Sequence, residues 1–525
     1  MSDVDVRSVR AGGVPPERDE RAGVRGWAGL VVLMLPVLMV SMDNTVLAFA
    51  LPEISAELSP SGTALLWVVD IYALMLAGLL VAMGSLGDRV GRRRLLLVGA
   101  VGFGVVSVVA AYSPNVETLI ASRAMLGVFG ATLMPSTLSL LRNIFRDRTE
   151  RRMAIATWAA GFSGGAALGP IIGGWVLGHF SWGAIFLINV PVVLVLVPLA
   201  LWLLPESRDP NPGPVDPTSI ALSLTTMLPA TFAIKHLAGH GVDEQTIAAV
   251  AVAIASGWTF VRRQQARAAR GKSPLIDVSL FADRVFTGAL VSNLLSIMGL
   301  AGFLYFASQF LQLVVGMEPM EAALVLVPGL VATIAAGFLA VRMVRVLSIR
   351  VLVSGSFVLS ASGYAIAAFV GDVPTAASLL VAFTVMGIGI GLAETLTNDV
   401  IIATVPASKS GAASAISETA YEIGAVLGTA VLGGLLTATY RAGVMIPSDV
   451  GPVDTVRAQE TLGSAHQVAA GLGDEGAMRL LSSAHAAFDL GVQRTSAVAI
   501  GVALLAAFVA FRTLRGADVA TTNHQ

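Results

Sequence analysis

Cysteine is absent from this chain of 525 residues, which excludes disulfide bonds, thiol nucleophiles and thiolate metal sites. Charged side chains make up only 13% of the residues, whereas hydrophobic residues make up 55%. The mean hydropathy is +0.79. A soluble chain of this length needs a far more polar surface, so we expect a protein that crosses a membrane many times.

Histidine is also scarce, and among the six histidines only His236 and His240 share a helical spacing. No third ligand accompanies them, so we expect no metal site and no cofactor. The net charge of −1 comes with no nonspecific basic patch, so we expect no nucleic-acid partner. The chain also lacks a nucleophile–base pair and a phosphate-binding loop, which argues against an enzyme and against transport driven by a nucleotide.

Long apolar runs dominate what the sequence does contain. A bilayer core of about 30 Å requires roughly 20 apolar residues in a helix. Fourteen runs are long enough, and together they predict an all-α polytopic protein. They lie near 27–50, 63–86, 95–112, 118–141, 154–178, 183–204, 217–238, 245–261, 286–314, 320–341, 350–370, 376–402, 411–436 and 491–512.

Arginine clusters occupy alternate loops and assign the sides of the membrane. By the positive-inside rule, the loop at 84–94 and both termini are predicted to be cytoplasmic. The loops on the other side hold almost no basic residue, with Lys235 as the exception. We expect residues 1–26 to form a retained cytoplasmic tail, because this segment is too long and too acidic for a signal peptide. The polar stretch at 437–490 is expected to lie outside, either as a folded cap or hairpin or as solvated surface structure, with short amphipathic helices in its portion at 461–490.

Two blocks of six predicted helices resemble each other, which indicates an internal duplication. The run GAALGP at 165–170 matches GAVLGT at 424–429, and both continue to a double glycine. Two parallel six-helix halves with a substrate site between them are typical of secondary transporters. The predicted organisation is an N-terminal bundle at 27–205, two inserted helices with linkers at 206–283, a C-terminal bundle at 284–515 and a tail at 516–525.

Several motifs in these segments carry a family resemblance. GSLGDRVGRRR at 84–94 resembles the loop signature between the second and third helices of the major facilitator superfamily. LIASRAMLGVFGA around Arg123 resembles its fourth-helix signature, and GGAALGPIIGG at 164–174 its antiporter signature. Four further stretches resemble the fourteen-helix drug:proton antiporters of the QacA, SmvA and LfrA type: SMDNTVLAFALP, WVVDIYAL, WGAIFLINVP and SGAASAISETAYEIG.

This resemblance, which runs from about Trp27 to Arg512, implies the major facilitator fold with two additional helices. It implies a monomeric, multi-pass protein of the bacterial cytoplasmic (inner) membrane. The implied function is proton-coupled export of lipophilic cationic drugs, dyes and quaternary ammonium compounds. Export of one endogenous metabolite or lipid-like molecule, with incidental drug efflux, is the alternative.

The resemblance also implies roles for two motifs. In the cytoplasmic loop it implies gating by Gly84, Asp88, Arg89, Gly91 and Arg92, although the arginines also serve as topology signals. In the fifth helix it implies a role in antiport, by sealing against proton leakage, for a set of glycines and one proline. These residues are Gly165, Gly169, Pro170, Gly173 and Gly174.

Charged residues inside predicted membrane helices are the main candidates for substrate binding and proton coupling. Such a charge costs roughly 2.5–3.5 kcal/mol at the bilayer centre, so it normally faces a cavity or a partner. Burial favours the neutral form of a carboxyl group, which lets a proton and a cationic substrate compete for one acid. The candidates are Asp43, Asp70, Arg123, Glu394, Glu418 and Glu422.

Alternatives stay open for some of these charges and for nearby aromatic residues. Asp43 and Arg123 are predicted to form a buried pair, which is either a static clamp or part of the coupling. A structural hydrogen bond is an equal alternative for Glu394. Aromatic rings attract flat or quaternary cations, but each one also fits simple helix packing. The aromatic candidates are Trp67, Tyr72, Phe306, Phe310 and Tyr421.

Overall fold

The computed structural model describes residues 22–208, 216–272, 274–369, 375–405, 410–448, 450–515 and 517. Within them, fourteen helices are long and apolar enough to cross a membrane, which confirms the predicted number. The predicted terminal tails lie almost entirely outside the described residues. Helices, and no strands, make up the regular structure of the described residues, as expected where no water satisfies backbone groups.

The first eight membrane helices follow each other closely in the chain. They are α1 Val24–Leu58, α2 Gly62–Val90, α3 Arg92–Ala111, α4 Val116–Ile144, α5 Arg148–Leu177, α6 Ala184–Leu203, α7 Pro217–His240 and α8 Glu244–Ala269. Five more follow: α9 Arg284–Val314, α10 Pro319–Met343, α11 Ile349–Phe369, α12 Ala376–Ala403 and α13 Ala413–Gly443. Two short helices, α14 Pro452–Glu460 and α15 Leu462–Ala470, precede the last membrane helix, α16 Asp474–Thr513.

Local signals explain several helix starts. The Ser61 side chain accepts a hydrogen bond from the backbone N–H of Ala64 at 3.1 Å and caps α2. Asn115 caps α4 in the same way, through the N–H of Thr118 at 2.9 Å. At the junction of α2 and α3, Gly91 adopts a φ of +114°, a conformation that side chains with a Cβ rarely reach.

The helices form two bundles, α1–α6 and α9–α13 with α16. The bundles meet where α2 packs against α13 and where α5 packs against α10. The inserted helix α7 packs against both α2 and α13, and α8 lies against α7. The inserted pair therefore covers one of the two seams between the bundles.

Asp216, immediately before α7, ties the inserted pair together. Its carboxylate lies 2.8 Å from Arg263 and 3.0 Å from Arg267, both on α8. It also caps α7 through the backbone N–H of Ser219 at 3.3 Å. The hydrogen bond from Arg263 holds the pKa of Asp216 well below its ordinary value, because it stabilises the charged form.

Glycines reveal the duplication in three dimensions. Gly165 and Gly169 on α5 lie directly against α1, where a Cβ would contact Ser41 and Thr45. Gly424 and Gly428 on α13 lie against α9 in the same manner. The same pair of helices in each bundle is thus held in close contact by glycines at equivalent positions.

The polar segment near the end of the chain differs from its prediction. Its middle part forms α14 and α15, of which α15 lies in the portion predicted to form short amphipathic helices. The last membrane helix begins at Asp474 rather than near 491, so the last part continues a single 40-residue helix. Two acidic residues in its first turn favour this early start, because they complement the helix dipole.

Candidate ion and substrate site

The two ends of the molecule differ in composition. The arginine-rich end is the end that holds Gly91, and the cap end is the end that holds α14 and α15. The charged residues predicted from the sequence lie between these ends, on α1, α2, α4, α12 and α13. They form three groups.

The first group is an ion pair within the N-terminal bundle. Arg123 on α4 contacts the carboxylate of Asp43 on α1, and the side-chain exposures are 1% and 4%. Its Nε donates a hydrogen bond to the carbonyl oxygen of Val68 at 3.1 Å. Its guanidinium lies 4.5 Å from the ring centre of Tyr72. The pairing predicted from the sequence is therefore present, and it joins α1, α2 and α4.

The second group surrounds Asp70 where α2, α7 and α13 meet. Lys235 on α7 places its Nζ 2.8 Å from a carboxylate oxygen of Asp70, and both side chains are shielded almost completely. The hydroxyl of Thr429 on α13 donates a hydrogen bond to the other oxygen. The interpretation of Lys235 as an exception among loop charges is wrong, because the residue lies within α7. Its position within an apolar run was the available signal, because a membrane helix tolerates a lysine only with a partner.

The third group consists of the glutamates Glu394, Glu418 and Glu422. Glu418 and Glu422 lie one turn apart on α13, and Glu394 lies on α12. Tyr421 interacts electrostatically with all three, and its ring packs edge-on against Phe162 of α5 at 5.8 Å. Tyr421 therefore lies between these glutamates and the N-terminal bundle. Glu422 is buried, whereas Glu394 and Glu418 keep partial exposure.

Tyr72 connects the first group with the third. Its ring lies under the Arg123 guanidinium, and it interacts electrostatically with both Asp43 and Glu422. Its buried hydroxyl has no hydrogen-bond partner among the described residues, and neither has one carboxylate oxygen of Glu422. An acid of each bundle thus lies next to the same tyrosine.

The predicted aromatic residues occupy different environments. Trp67 and Tyr72 already hold cations of the protein itself, since Lys235 lies 4.0 Å from the Trp67 ring centre. Phe306 and Phe310 are each 1% exposed and belong to the hydrophobic core. Tyr421 lies on the interface between the bundles.

At the arginine-rich end, the loop motif contacts its own bundle. Asp88 pairs with Arg92 at 2.8 Å, and Arg92 donates a hydrogen bond to the Ser207 hydroxyl at 3.1 Å. Glu206, which sequence analysis did not select, accepts a hydrogen bond from the backbone N–H of Arg93 at 3.1 Å. Arg89 is exposed. In this structure the polar partner of Asp88 within the described part of the chain is therefore Arg92, rather than a residue of the other bundle.

Hydrogen bonds between the two bundles lie in the half nearer the cap end, counting those between described residues. The backbone N–H of Gly62 donates to a carboxylate oxygen of Glu460 at 2.9 Å. Ser308 and Gln312 on α9 donate to the α1 carbonyl oxygens of Ala48 and Phe49, at 2.7 Å and 3.1 Å. The bundles are therefore tied together at the cap end.

The antiporter motif lies where α5 contacts α1 of its own bundle and α10 of the other bundle. Gly173 lies beside Val46 of α1, where a Cβ would meet a side-chain carbon at 3.1 Å. Gly174 lies beside Met320 of α10, where a Cβ would meet the Cα at 2.8 Å. Pro170 is buried within α5 and leaves one carbonyl of the preceding turn without its usual donor. The motif thus lies at the second seam between the bundles.

Comparison with known proteins identifies the family. A family model described as Major Facilitator Superfamily matches residues 33–429. This chain belongs to the major facilitator superfamily. It is 52% identical over 489 residues to the multidrug efflux pump LfrA of Mycolicibacterium smegmatis, an alignment that covers 93% of this chain and 96% of the relative. It is 36% identical to the methyl viologen resistance protein SmvA of Salmonella typhimurium, with coverages of 88% and 93%.

More distant relatives agree with this membership. The tetracenomycin C resistance and export protein of Streptomyces glaucescens is 33% identical, with coverages of 94% and 93%. Among solved structures, a bacterial homolog of the human lysosomal transporter Spinster has the same fold. Its TM-score is 0.63 at 18% identity, with coverages of 92% and 96%. The chain is therefore a multi-pass membrane transporter of the drug efflux type and not an enzyme.

Proposed function

We propose that this transporter exports lipophilic cations from the cytoplasm in exchange for protons, with the arginine-rich end and both termini on the cytoplasmic side of a bacterial inner membrane. The observation that carries this proposal is an excess of negative charge among the charged residues inside the membrane helices. Asp43 and Asp70 each have a basic partner. Glu394, Glu418 and Glu422 have no basic partner among the described residues. Their site is therefore suited to binding cations.

Exchange follows from the chemistry of these acids. A carboxylate in an apolar surrounding is costly as a free anion, so it is stable either with a proton or with another cation. Uptake of a proton at the glutamates weakens their attraction for a bound drug. A substrate cation in turn favours loss of that proton. Such competition exchanges a proton for a drug cation without a nucleotide or any other cofactor.

The arrangement of the bundles supports access from the cytoplasm in this state. The hydrogen bonds between described residues of the two bundles lie nearer the cap end, whereas the loop motif at the arginine-rich end contacts its own bundle. The partial exposure of Glu394 and Glu418 fits a site that opens toward that end.

The name of one relative agrees with drug efflux, and that of a second agrees with a cationic substrate. One is a multidrug efflux pump, and the other is named for resistance to methyl viologen, which carries two positive charges. Three glutamates offer enough negative charge for such a dication. Tyr421, which lies among them, adds an aromatic face for flat or quaternary groups.

Export of one endogenous metabolite is the second candidate. It is favoured by the similarity to the tetracenomycin C export protein and, at 30% identity, to a probable actinorhodin transporter of Streptomyces coelicolor. Under this alternative, drug efflux is incidental to the natural substrate.

Transport by the purified protein in liposomes tests the proposal. We expect an imposed pH gradient to drive ethidium movement and a protonophore to abolish it. A variant in which all three glutamates are replaced by glutamine is expected to lose this transport, whereas Glu475→Gln, which alters an exposed ion pair, retains it. Movement driven by a sodium gradient, or absence of ethidium transport by the intact protein, contradicts the proposal. In the second case metabolite export becomes the leading candidate.

A further inference from the structure

Trp67, Asp70 and Lys235 form a complete cation site that is occupied by the protein itself. Trp67 and Asp70 lie three residues apart on α2 and face the same ammonium group. The Lys235 Nζ is 2.8 Å from the carboxylate and 4.0 Å from the centre of the indole ring. A carboxylate beside an aromatic face is also the combination that recognises a lipophilic cation.

The Lys235 ammonium has few other partners. It carries three N–H donors, and outside its ion pair with Asp70 it has no hydrogen-bond partner among the described residues. Among the described residues, Tyr305 on α9 also interacts with Asp70, and α13 contributes the Thr429 hydroxyl. The position of Lys235 therefore depends mainly on one negative charge.

This dependence couples the charge of Asp70 to the position of Lys235. Loss of one member of a buried ion pair leaves an uncompensated charge in an apolar surrounding, which is strongly unfavourable. When a proton or a substrate cation neutralises Asp70, Lys235 is no longer stable in the site as a charged ammonium. Lys235 lies five residues before the end of α7 at His240, or about 8 Å along the helix, so its flexible side chain can extend to water at the cap end.

We propose that Lys235 is a tethered counter-cation, which occupies the site formed by Asp70 and Trp67 until a substrate cation or a proton displaces it. The inserted pair α7 and α8 is then part of the coupling mechanism rather than a spacer. α7 contacts α2 of one bundle and α13 of the other at this junction, so release of Lys235 loosens one seam between the bundles. The inference rests on the proposed function, since it names the residue that competes with the exported cation.

Binding of ethidium to the full-length purified protein tests the competition. Lys235→Met removes the charge and keeps the length of the side chain, and Lys235→Arg retains the charge. We expect Lys235→Met to bind ethidium at least tenfold more tightly than the wild type, and Lys235→Arg to bind as the wild type does. The gain is expected to vanish in the double variant Asp70→Asn/Lys235→Met. Unchanged affinity in Lys235→Met, or a gain that persists without Asp70, overturns the proposal.

The double variant also guards against misfolding, because it removes both charges together and leaves no stranded ion. If Lys235→Met alone does not fold, Asp70→Asn is compared with the double variant. Equal ethidium affinities support the counter-cation, since Lys235 then has no acid for which to compete. A difference of tenfold or more overturns it.

Labelling of Lys235 provides a readout that does not depend on transport. The chain has three lysines, so Lys272→Arg/Lys409→Arg leaves Lys235 as the only one. We expect slow modification by an amine-reactive reagent, at least fivefold faster modification when Asp70→Asn is added, and a similar increase with saturating ethidium. Equal rates with and without Asp70 overturn the counter-cation. A wild-type protein that fails to bind ethidium contradicts the proposed function instead, and the comparison with Asp70→Asn still decides the role of Lys235.

Discussion

Asp43 on α1 and Arg123 on α4 form an ion pair that is closed to solvent, with side-chain exposures of 4% and 1%. The same guanidinium lies over Tyr72, which in turn interacts electrostatically with Glu422 of the other bundle. Asp43 and Glu422, one acid from each bundle, therefore act on the same tyrosine. This geometry makes the pair a candidate for coupling as well as for stability.

Asp43→Asn or Arg123→Gln is expected to destabilise the protein strongly, because either change strands the opposite charge in an apolar surrounding. The cost is about 3–5 kcal/mol for one partner and is smaller for the double variant, which removes both charges. Thermal unfolding in detergent measures the difference. If Asp43→Asn folds and exchanges protons for ethidium normally, the pair is only a structural clamp.

Gly169→Ala is expected to disturb the contact between α5 and α1, because the added Cβ would overlap the side chain of Thr45. Overpacking of this kind costs about 1–3 kcal/mol. Gly164→Ala is the matched control, since a Cβ there has no neighbour within 4 Å among the described residues. Melting temperature and transport rate are measured for both variants. Equal effects of the two substitutions contradict the close-packing role of the motif.

Asp88→Asn is expected to slow export and to leave ethidium affinity nearly unchanged. Asp88 lies at the arginine-rich end, paired with Arg92 at 2.8 Å, and not within the charged groups of the bundle. A partly exposed pair of this kind contributes about 1 kcal/mol or less, which suits a contact that breaks and forms in each cycle. Binding to purified protein and transport in liposomes are compared. A loss of affinity as large as the loss of transport contradicts a gating role.

Glu422→Gln and Glu418→Gln are expected to impair dicationic substrates more than monocationic ones, whereas Asp70→Asn impairs both. The two glutamates share one face of α13, while Asp70 belongs to a separate cation site with Lys235. Efflux of matched mono- and dicationic quaternary ammonium compounds checks this division, together with substrate-induced proton release. Equal defects for both substrates in every variant, or unchanged proton release in Asp70→Asn, contradict it.

Glu460→Gln is expected to weaken the connection between the bundles at the cap end. Its carboxylate accepts a hydrogen bond from the backbone N–H of Gly62 at 2.9 Å and forms an ion pair with Arg441 at 3.2 Å. The neutral amide loses the ion pair, so the cap end should open more often. Labelling of Ser55→Cys, which shares a hydrogen bond with Thr461 beneath the cap, reports this opening. Glu475→Gln is the control. Equal labelling in both variants contradicts a role of Glu460 in holding the bundles together at the cap end.

Local sequence was sufficient for the number of membrane helices and for every charge of the three groups except Lys235. Each helix depends on the summed hydropathy of about 20 consecutive residues, and each buried charge is conspicuous because a membrane segment tolerates it poorly. The duplication could be predicted from the sequence as well, because the glycines that hold α5 to α1 recur on α13. The start of α16 could not be predicted, because its amphipathic first half has the hydropathy of a surface segment.

Tertiary structure decided which of these charges meet. The sequence by itself pairs Asp43 with Arg123, but it gives Asp70 no partner and does not show that Lys235 is buried. Which side chain on another helix a charge meets depends on the rotation of each helix about its axis and on its depth in the membrane. Packing along the whole length of the helix sets this rotation and depth, whereas neighbouring residues in the sequence do not. Only the packing of α7 into the seam between α2 and α13 brings Lys235 to Asp70, and only the packing of α12 beside α13 brings Glu394 to Glu418.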